Sequence, residues 1–268
     1  MASTTGIPQS HPRSREAGLG EDEPLLGRVG DASQQDGKPI YFNLIIGKFP
    51  IQLHLSTPQV EETLTVCSGT AIISQFGVLL FTALIWADIL LSPIMLFTAH
   101  PLLNSFGILL LTQSILILQP THTPSQKRVG TITHSSLNGV ALASLVAGLV
   151  VIEVNKINHN GTHFESAHAR IGLATYLILI LQSIVGFTQY FTPTIFGSVD
   201  NAKSLYKYHR MSGYVVLILM LVTVGAATFT TFNVQTLHIK LWSVVLTSIL
   251  ILLGIVPRIK KQKFGLAV

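Results

Sequence analysis

The chain has 268 residues, of which 49% are hydrophobic and only 11% charged, and its mean hydropathy is +0.55. A soluble domain carries about 25% charged residues, so the deficit excludes an ordinary soluble protein and points into a membrane. The net charge of +5 resides in loops and in the tail "PRIKKQKFG", which suits membrane topology better than nucleic acid, and the single cysteine, Cys67, excludes an internal disulfide, an iron–sulfur cluster and a cysteine zinc site.

Residues 1–60 are polar, rich in Gly, Ser and Pro, and without periodicity. They read as a disordered cytosolic tail with no secretory apolar core, hence not a cleaved signal peptide. Within them "EDEPLL" (Glu21 to Leu26) has the form of an acidic dileucine sorting signal for vacuole or lysosome, and Tyr41–Leu55 is apolar enough to lie at a membrane surface. Six apolar stretches follow, at Leu64–Leu90, Pro101–Gln119, His134–Val154, His168–Tyr190, His209–Phe232 and Thr236–Val256. Roughly 20 apolar residues cross a bilayer as a helix, and backbone groups in lipid must be satisfied within the segment. The predicted fold is an all-α membrane protein, a six-transmembrane-helix bundle over 61–257, followed by a basic cytosolic tail at 258–268.

Lys/Arg bias sets the orientation. With the N-terminus cytosolic, that face holds Lys127, Arg128, Lys203, Lys207, Arg210, Arg258, Lys260, Lys261 and Lys263, and the opposite face only Lys156, Arg170 and Lys240, nine against three. The sequon Asn160-Gly161-Thr162 falls on the non-cytosolic side in this arrangement. Both termini are therefore placed in the cytosol, and endomembrane (vacuole, endosome or endoplasmic reticulum) is favoured over plasma membrane.

Four histidines stand at the N-terminal ends of the second to fifth spans: His100, His134, His168 and His209. Successive spans run in opposite directions. His100 and His168 thus share the non-cytosolic end, and His134 and His209 the cytosolic end. Ionisable residues inside membrane segments are functional candidates, and facing imidazoles in a helix bundle can hold haem iron from both sides. Bis-histidine ligation leaves no open position for dioxygen and suits electron transfer. Gly172 and Gly213 follow His168 and His209 by four residues and Gly139 follows His134 by five, while His100 has Asn104 and Ser105 at those offsets. Small residues there give a flat cofactor clearance, or else close helix packing. Of the other histidines, His11, His54, His122 and His238 read as solvated or interfacial. So do His159 and His163, which are also candidates to contact a lumenal substrate or a metal ion.

These residues resemble the cytochrome b561 family. The likeness is carried by "AHPLLNSFG", "KRVGTITHSSLNG", "THFESAHARIGLATY", "SLYKYHRMSGY" and "GFTQYFTP", with histidine spacings of 34, 34 and 41 residues. It covers about residues 64–257 and is nearest the stand-alone members. It implies two haem b groups, with iron held axially by His100 paired to His168 and His134 paired to His209. It implies electron transfer from cytosolic ascorbate to monodehydroascorbate or ferric iron across the bilayer, the activity of a transmembrane ascorbate-dependent oxidoreductase; members are often homodimers. Cationic residues shortly before the third-span histidine contact ascorbate in this family. Arg128 matches one of them, and Ile132 stands where another is expected. Lys127, Arg128, Lys203 and Lys207, with Arg210, are the candidates for the donor anion, or else serve only topology. On the far face His163, Phe164 and Arg170 are candidates for the acceptor site, and Arg170 alternatively for a haem propionate.

Two other readings predict different chemistry. A haem-free solute transporter would use Asn104, Gln113, Asn138 and Gln182 as a polar path and would show broken, repeated helices. A passive haem subunit of a larger membrane complex would share the histidines and need a partner. A flavin-dependent ferric reductase is disfavoured, because the chain shows no G-x-G-x-x-G fingerprint.

Overall fold

The computed structural model describes residues 70–119, 121, 124–259 and 264. The predicted tail 1–60, the "EDEPLL" pattern, the segment Tyr41–Leu55, Cys67, His11, His54, His122 and the lysines at 260, 261 and 263 lie outside the described residues. Among those described there are helices and turns and no strand. Six segments are long and apolar enough to cross a membrane. They are formed by α1 (Thr70–Leu90), α2 (Ala99–Leu118), α3 (Pro124–Asn158), α4 (Ala167–Phe191), the short α5 (Val199–Ser204) continuing into α6 (Tyr206–Ala227), and α7 (Leu241–Ile255).

Several boundaries differ from expectation: α3 runs on to Asn158, the fifth span begins at Val199, and three further differences have a plain physical reason. Helix α3 begins at Pro124, ten residues before His134. Its first turns carry Ser125, Gln126, Lys127 and Arg128, which hydropathy reads as loop although nothing in them breaks a helix. His134 is thus about three turns inside its helix rather than at its end. Helix α6 ends at Ala227, not Phe232, and α7 starts at Leu241, not Thr236. Between them lies a π-turn, Asn233–Leu237, closed by His238 in the left-handed region at φ 59°. Asn233 ties this turn: its Nδ2 donates to the carbonyls of Thr228 (2.9 Å) and Ile239 (3.0 Å), and its Oδ1 accepts from the Ile239 amide (3.1 Å). Buried backbone groups outside a regular helix need such partners.

Local capping sets the other starts. Ser166 accepts a hydrogen bond from the Ala169 amide at 3.1 Å and opens α4 just before His168. Ser198 does the same for α5 through the Asn201 amide at 3.1 Å. Such caps satisfy amides that have no intrahelical partner.

The helices pack as two groups. In one, α3 lies on α2, α2 on α1, and α1 on α7; in the other, α4 lies on α6. Contact between the groups, α2 with α6, α3 with α4 and α6 with α7, is sparser. Small residues bring α1 and α7 together: a Cβ on Gly254 would run into Ser74, and one on Gly77 would come within 2.8 Å of the Leu250 Cβ. Without a hydrophobic driving force inside lipid, such close packing and polar contacts hold helices together. Gln75 and Gln113 add a reciprocal amide pair across α1 and α2, each donating to the other at 2.7 Å. The looser seam between the two groups is where the histidines meet.

Candidate cofactor site: two facing histidine pairs

His100 on α2 and His168 on α4 face each other across the seam. Their ring centres are 6.0 Å apart and the rings are nearly perpendicular, at 88°. His134 on α3 and His209 on α6 line one cavity of about 580 Å³ at the other end of the bundle. Each pair therefore takes one histidine from each helix group.

Three of the rings are oriented by a main-chain carbonyl on a neighbouring helix. His100 Nδ1 lies 2.9 Å from the Gly148 oxygen on α3, His134 Nδ1 2.9 Å from the Ser114 oxygen on α2, and His168 Nδ1 2.9 Å from the Thr223 oxygen on α6. A carbonyl only accepts, so Nδ1 carries the proton in all three. Nε2 then keeps its lone pair and can bind a metal ion. Partners of this kind fix the ring and raise its basicity as a ligand. Asn104 Nδ2, 3.3 Å from His100 Nδ1, is a second donor in that tautomer, which leaves the carbonyl as the operative partner. His209 differs. Its Nδ1 is buried with no partner among the described residues, and its ring is placed by Gly186, where a Cβ would come within 2.5 Å of His209 Cε1.

The residues fit a haem. A metal–imidazole bond is about 2 Å and the ring centre lies roughly 1 Å behind the nitrogen, so two rings sharing one ion stand about 6 Å apart, the separation found for His100 and His168. The cavity between His134 and His209 is within the ~300–1,000 Å³ of ligand pockets. Its walls are largely apolar, from Leu142, Phe187, Val216 and Met220 among others. Gly139 lines it and a Cβ there would meet nothing within 4 Å, so this glycine borders open space. Gly213 lines it too, with Gln182 Nε2 3.1 Å from its missing Cβ. Gly172, by contrast, is not a cavity residue, and a Cβ there would sit at ordinary contact distance from Thr223, so nothing around it requires a glycine.

The same cavity gathers cations. Lys127, Arg210 and Arg258 line it, and no acidic side chain does among the described residues. Arg258 Nε donates to Gln119 Oε1 at 3.0 Å, and Gln119 Nε2 is 3.4 Å from the Tyr214 hydroxyl. The Arg210 guanidinium lies 5.8 Å from the Phe264 ring centre. Of the sequence candidates, Lys127 and Arg210 are brought to this lining. Arg128, Lys203 and Lys207 are outside it: Lys203 pairs with Asp200 at 3.4 Å and Lys207 lies over the Tyr208 ring at 5.2 Å. Arg258 escaped the sequence reading because its position after the sixth span marks it as a topology residue.

At the opposite end, the turn after α3 gathers His163, Phe164 and Arg170. His163 Nδ1 donates to Glu153 Oε2 at 2.8 Å, and Arg170 Nε donates to the Phe164 carbonyl at 2.9 Å. Phe164 and Asn160 hold positive φ, 57° and 49°, which folds the turn back toward α4. His159 bonds its own helix at the Asn155 carbonyl, 2.8 Å. Among the described residues no group of three or more His, Cys, Asp or Glu side chains can hold a bare metal ion.

A multi-pass helical bundle with imidazoles facing across an internal seam defines a class, the cofactor-holding membrane helix bundles. Residues 99–233 match the sequence profile of eukaryotic cytochrome b561, a stretch that holds all four histidines, and the chain belongs to this family of haem b proteins. It is also similar to two maize (Zea mays) proteins, "Ascorbate-specific transmembrane electron transporter 2" and "Ascorbate-specific transmembrane electron transporter 1". Identity is 30% and 29% respectively over 131 residues, covering 47% of this chain and 53% of each relative. The chain thus spans about half the length of these curated relatives.

Proposed function

We propose that this chain carries single electrons across a membrane. In this reading it holds two haem b groups, one on His134 and His209 and one on His100 and His168. The donor is ascorbate on the cytosolic side, and the acceptor is monodehydroascorbate or ferric iron on the other. The observation that carries the reading is the arrangement of the imidazoles, paired across the seam, with Nδ1 of three of them committed to carbonyls and Nε2 kept for a metal. Bound haem iron supplies the one-electron chemistry. The rest falls to the chain. The four histidines would hold the iron through their ring nitrogens, the apolar walls would keep water out, and Lys127, Arg210 and Arg258 would attract an anionic donor to the cavity. Charges of one sign in a low-dielectric cleft raise the local concentration of a small anion and speed its encounter. Both termini lie in the cytosol, following the Lys/Arg bias, and an endomembrane is favoured over the plasma membrane.

The haem-free transporter loses its polar path. Each of the four residues it would use is committed within the bundle: Asn104, Asn138 and Gln182 to the carbonyls of His100, His134 and His209, and Gln113 to Gln75. The test is a visible spectrum of the purified chain, oxidised and then treated with ascorbate. A sharp α-band of low-spin haem that ascorbate itself develops supports the reading. Haem that only dithionite reduces keeps the cofactor and rejects the donor, which favours a subunit of a larger complex. No haem after haem-supplemented expression overturns the reading.

A further inference from the structure

Three of the four histidines share a device that lies behind the imidazole. In each, a side-chain amide donates to the histidine's own backbone carbonyl, and a hydroxyl lies within hydrogen-bonding distance of the amide oxygen. Asn104 Nδ2 donates to the His100 carbonyl at 2.7 Å, and the Tyr176 hydroxyl on α4 donates to Asn104 Oδ1 at 2.6 Å. Asn138 Nδ2 donates to the His134 carbonyl at 2.8 Å, and the Ser114 hydroxyl on α2 lies 3.1 Å from Asn138 Oδ1. Gln182 Nε2 on α4 donates to the His209 carbonyl at 2.6 Å, and the Ser212 hydroxyl on α6 is 2.6 Å from Gln182 Oε1.

The orientation of each amide follows from its partners. The NH₂ must face the histidine carbonyl, since an amide oxygen there would oppose another acceptor. The amide oxygen then points to the hydroxyl. Each hydroxyl also reaches a main-chain oxygen: Leu145 for Tyr176 at 2.9 Å, Leu111 for Ser114 at 2.8 Å and Tyr208 for Ser212 at 2.8 Å. The one proton of Tyr176 and of Ser114 is thus shared between two acceptors, and that of Ser212 among three, the third being the His209 carbonyl at 3.2 Å. Every device spans two helices, and each such pair includes the helix that carries the histidine. Ser114 acts twice, because its carbonyl also receives His134 Nδ1–H. Gly148 leaves room for the first device, since a Cβ there would come within 2.6 Å of Asn104 Nδ2. His168 is served differently: the hydroxyls of Thr175 and Thr223 meet at 3.2 Å beside the carbonyl that receives its ring.

We propose that Tyr176 with Asn104, Ser114 with Asn138, and Ser212 with Gln182 are positioning clamps, each fixing one histidine from a neighbouring helix so that its ring is set before the haem binds. This rests on the reading that the histidines hold haem. A pre-set ligand loses less freedom when it binds its group, and partners behind a metal ligand tune both affinity and the metal's electronics. The clamps are separate in space, so each acts on one haem only.

The experiment uses the full haem-loaded chain and two mild substitutions, Tyr176→Phe and Ser114→Ala, each of which removes one hydroxyl. The low-spin electron paramagnetic resonance signals are assigned beforehand from His100→Ala and His134→Ala. Tyr176→Phe is expected to shift only the signal absent in His100→Ala, and Ser114→Ala only the one absent in His134→Ala. Loss of haem to a scavenging apoglobin becomes about fivefold faster from the affected site alone, the equivalent of one hydrogen bond. Unchanged signals and rates in both variants overturn the proposal, as does an equal shift of both signals in each, which would mark a general loosening of the bundle. Absence of haem from the unsubstituted chain overturns the proposed function, and the clamps with it.

Discussion

The two ends of the bundle use the same ligand type in different surroundings. At the His100/His168 end the rings face each other directly, both Nδ1 atoms rest on carbonyls, and the side chains hydrogen-bonded around them are neutral: Asn104, Tyr176, Thr175 and Thr223. At the His134/His209 end the pair opens into a cavity edged by Lys127, Arg210 and Arg258, and only His134 rests on a carbonyl. One end is wholly neutral in its hydrogen-bonded surroundings, and the other adds three cations that, in the proposed reading, attract a negatively charged donor. The difference teaches that the histidines alone do not define the function. In the proposed reading, direction comes from the cations gathered at the His134/His209 cavity.

The sharpest way to break this comparison is to delete one ligand at each end. His134→Ala and His100→Ala should each abolish transmembrane electron transfer and leave one haem spectrum of two, read by difference spectroscopy. The residual haem in His100→Ala should still be reduced by ascorbate, and that in His134→Ala should not. Reduction of both would remove the distinction between donor and acceptor ends.

A smaller effect separates two glycines at the cavity. Gly186→Ala places a methyl against the His209 ring and should destabilise the haem-loaded chain by about 1–3 kcal/mol. Gly139→Ala meets no protein atom and should stabilise the haem-free chain by up to about 1 kcal/mol through helix propensity, a gain offset in the haem-loaded chain because the methyl points into the cavity. Thermal unfolding in detergent, with and without haem, checks both.

Smaller again is the loss of one cavity cation. Arg258→Gln should raise the KM for ascorbate about tenfold, the equivalent of one charge-assisted hydrogen bond, with kcat nearly kept and the remaining affinity less sensitive to salt. The smallest effect belongs to Lys203→Ala. Its pair with Asp200 is on the surface, where such contacts contribute at most about 1 kcal/mol, and the KM should stay within about twofold. An effect of Lys203 equal to that of Arg258 would place the anion site outside the cavity.

Much of this organisation was legible in the sequence. The six spans follow from hydropathy, and the grouping of the histidines by end follows from the alternation of helix direction. What was not legible is non-local or polar. The first three turns of α3 hold lysine and arginine, which hydropathy scores as loop although they are good helix formers. The turn around Asn233 ends one span and starts the next through side-chain bonds that no apolar window registers. Gly186 lies 23 residues before His209, and no spacing rule points from one to the other. The same holds for Ser114 and His134, 20 residues apart. Asn104 and Asn138 did carry a signal, since each follows a histidine by four residues, the interval at which side chains on a helix meet the preceding turn. The partners behind them, Tyr176 and Ser114, lie 72 and 24 residues away in the chain, beyond the reach of any local pattern.

The carbonyls that orient His100, His134 and His168 belong to Gly148, Ser114 and Thr223, and they are main-chain atoms. A side-chain acceptor can be lost in one codon change, but a peptide oxygen is present whatever residue stands there. The three acceptors are therefore immune to direct point mutation. They can be displaced only by moving a whole helix, so the ring–carbonyl bonds themselves do not depend on which side chain stands there, and what a substitution at Gly148 or Ser114 disturbs is the clamp behind the histidine.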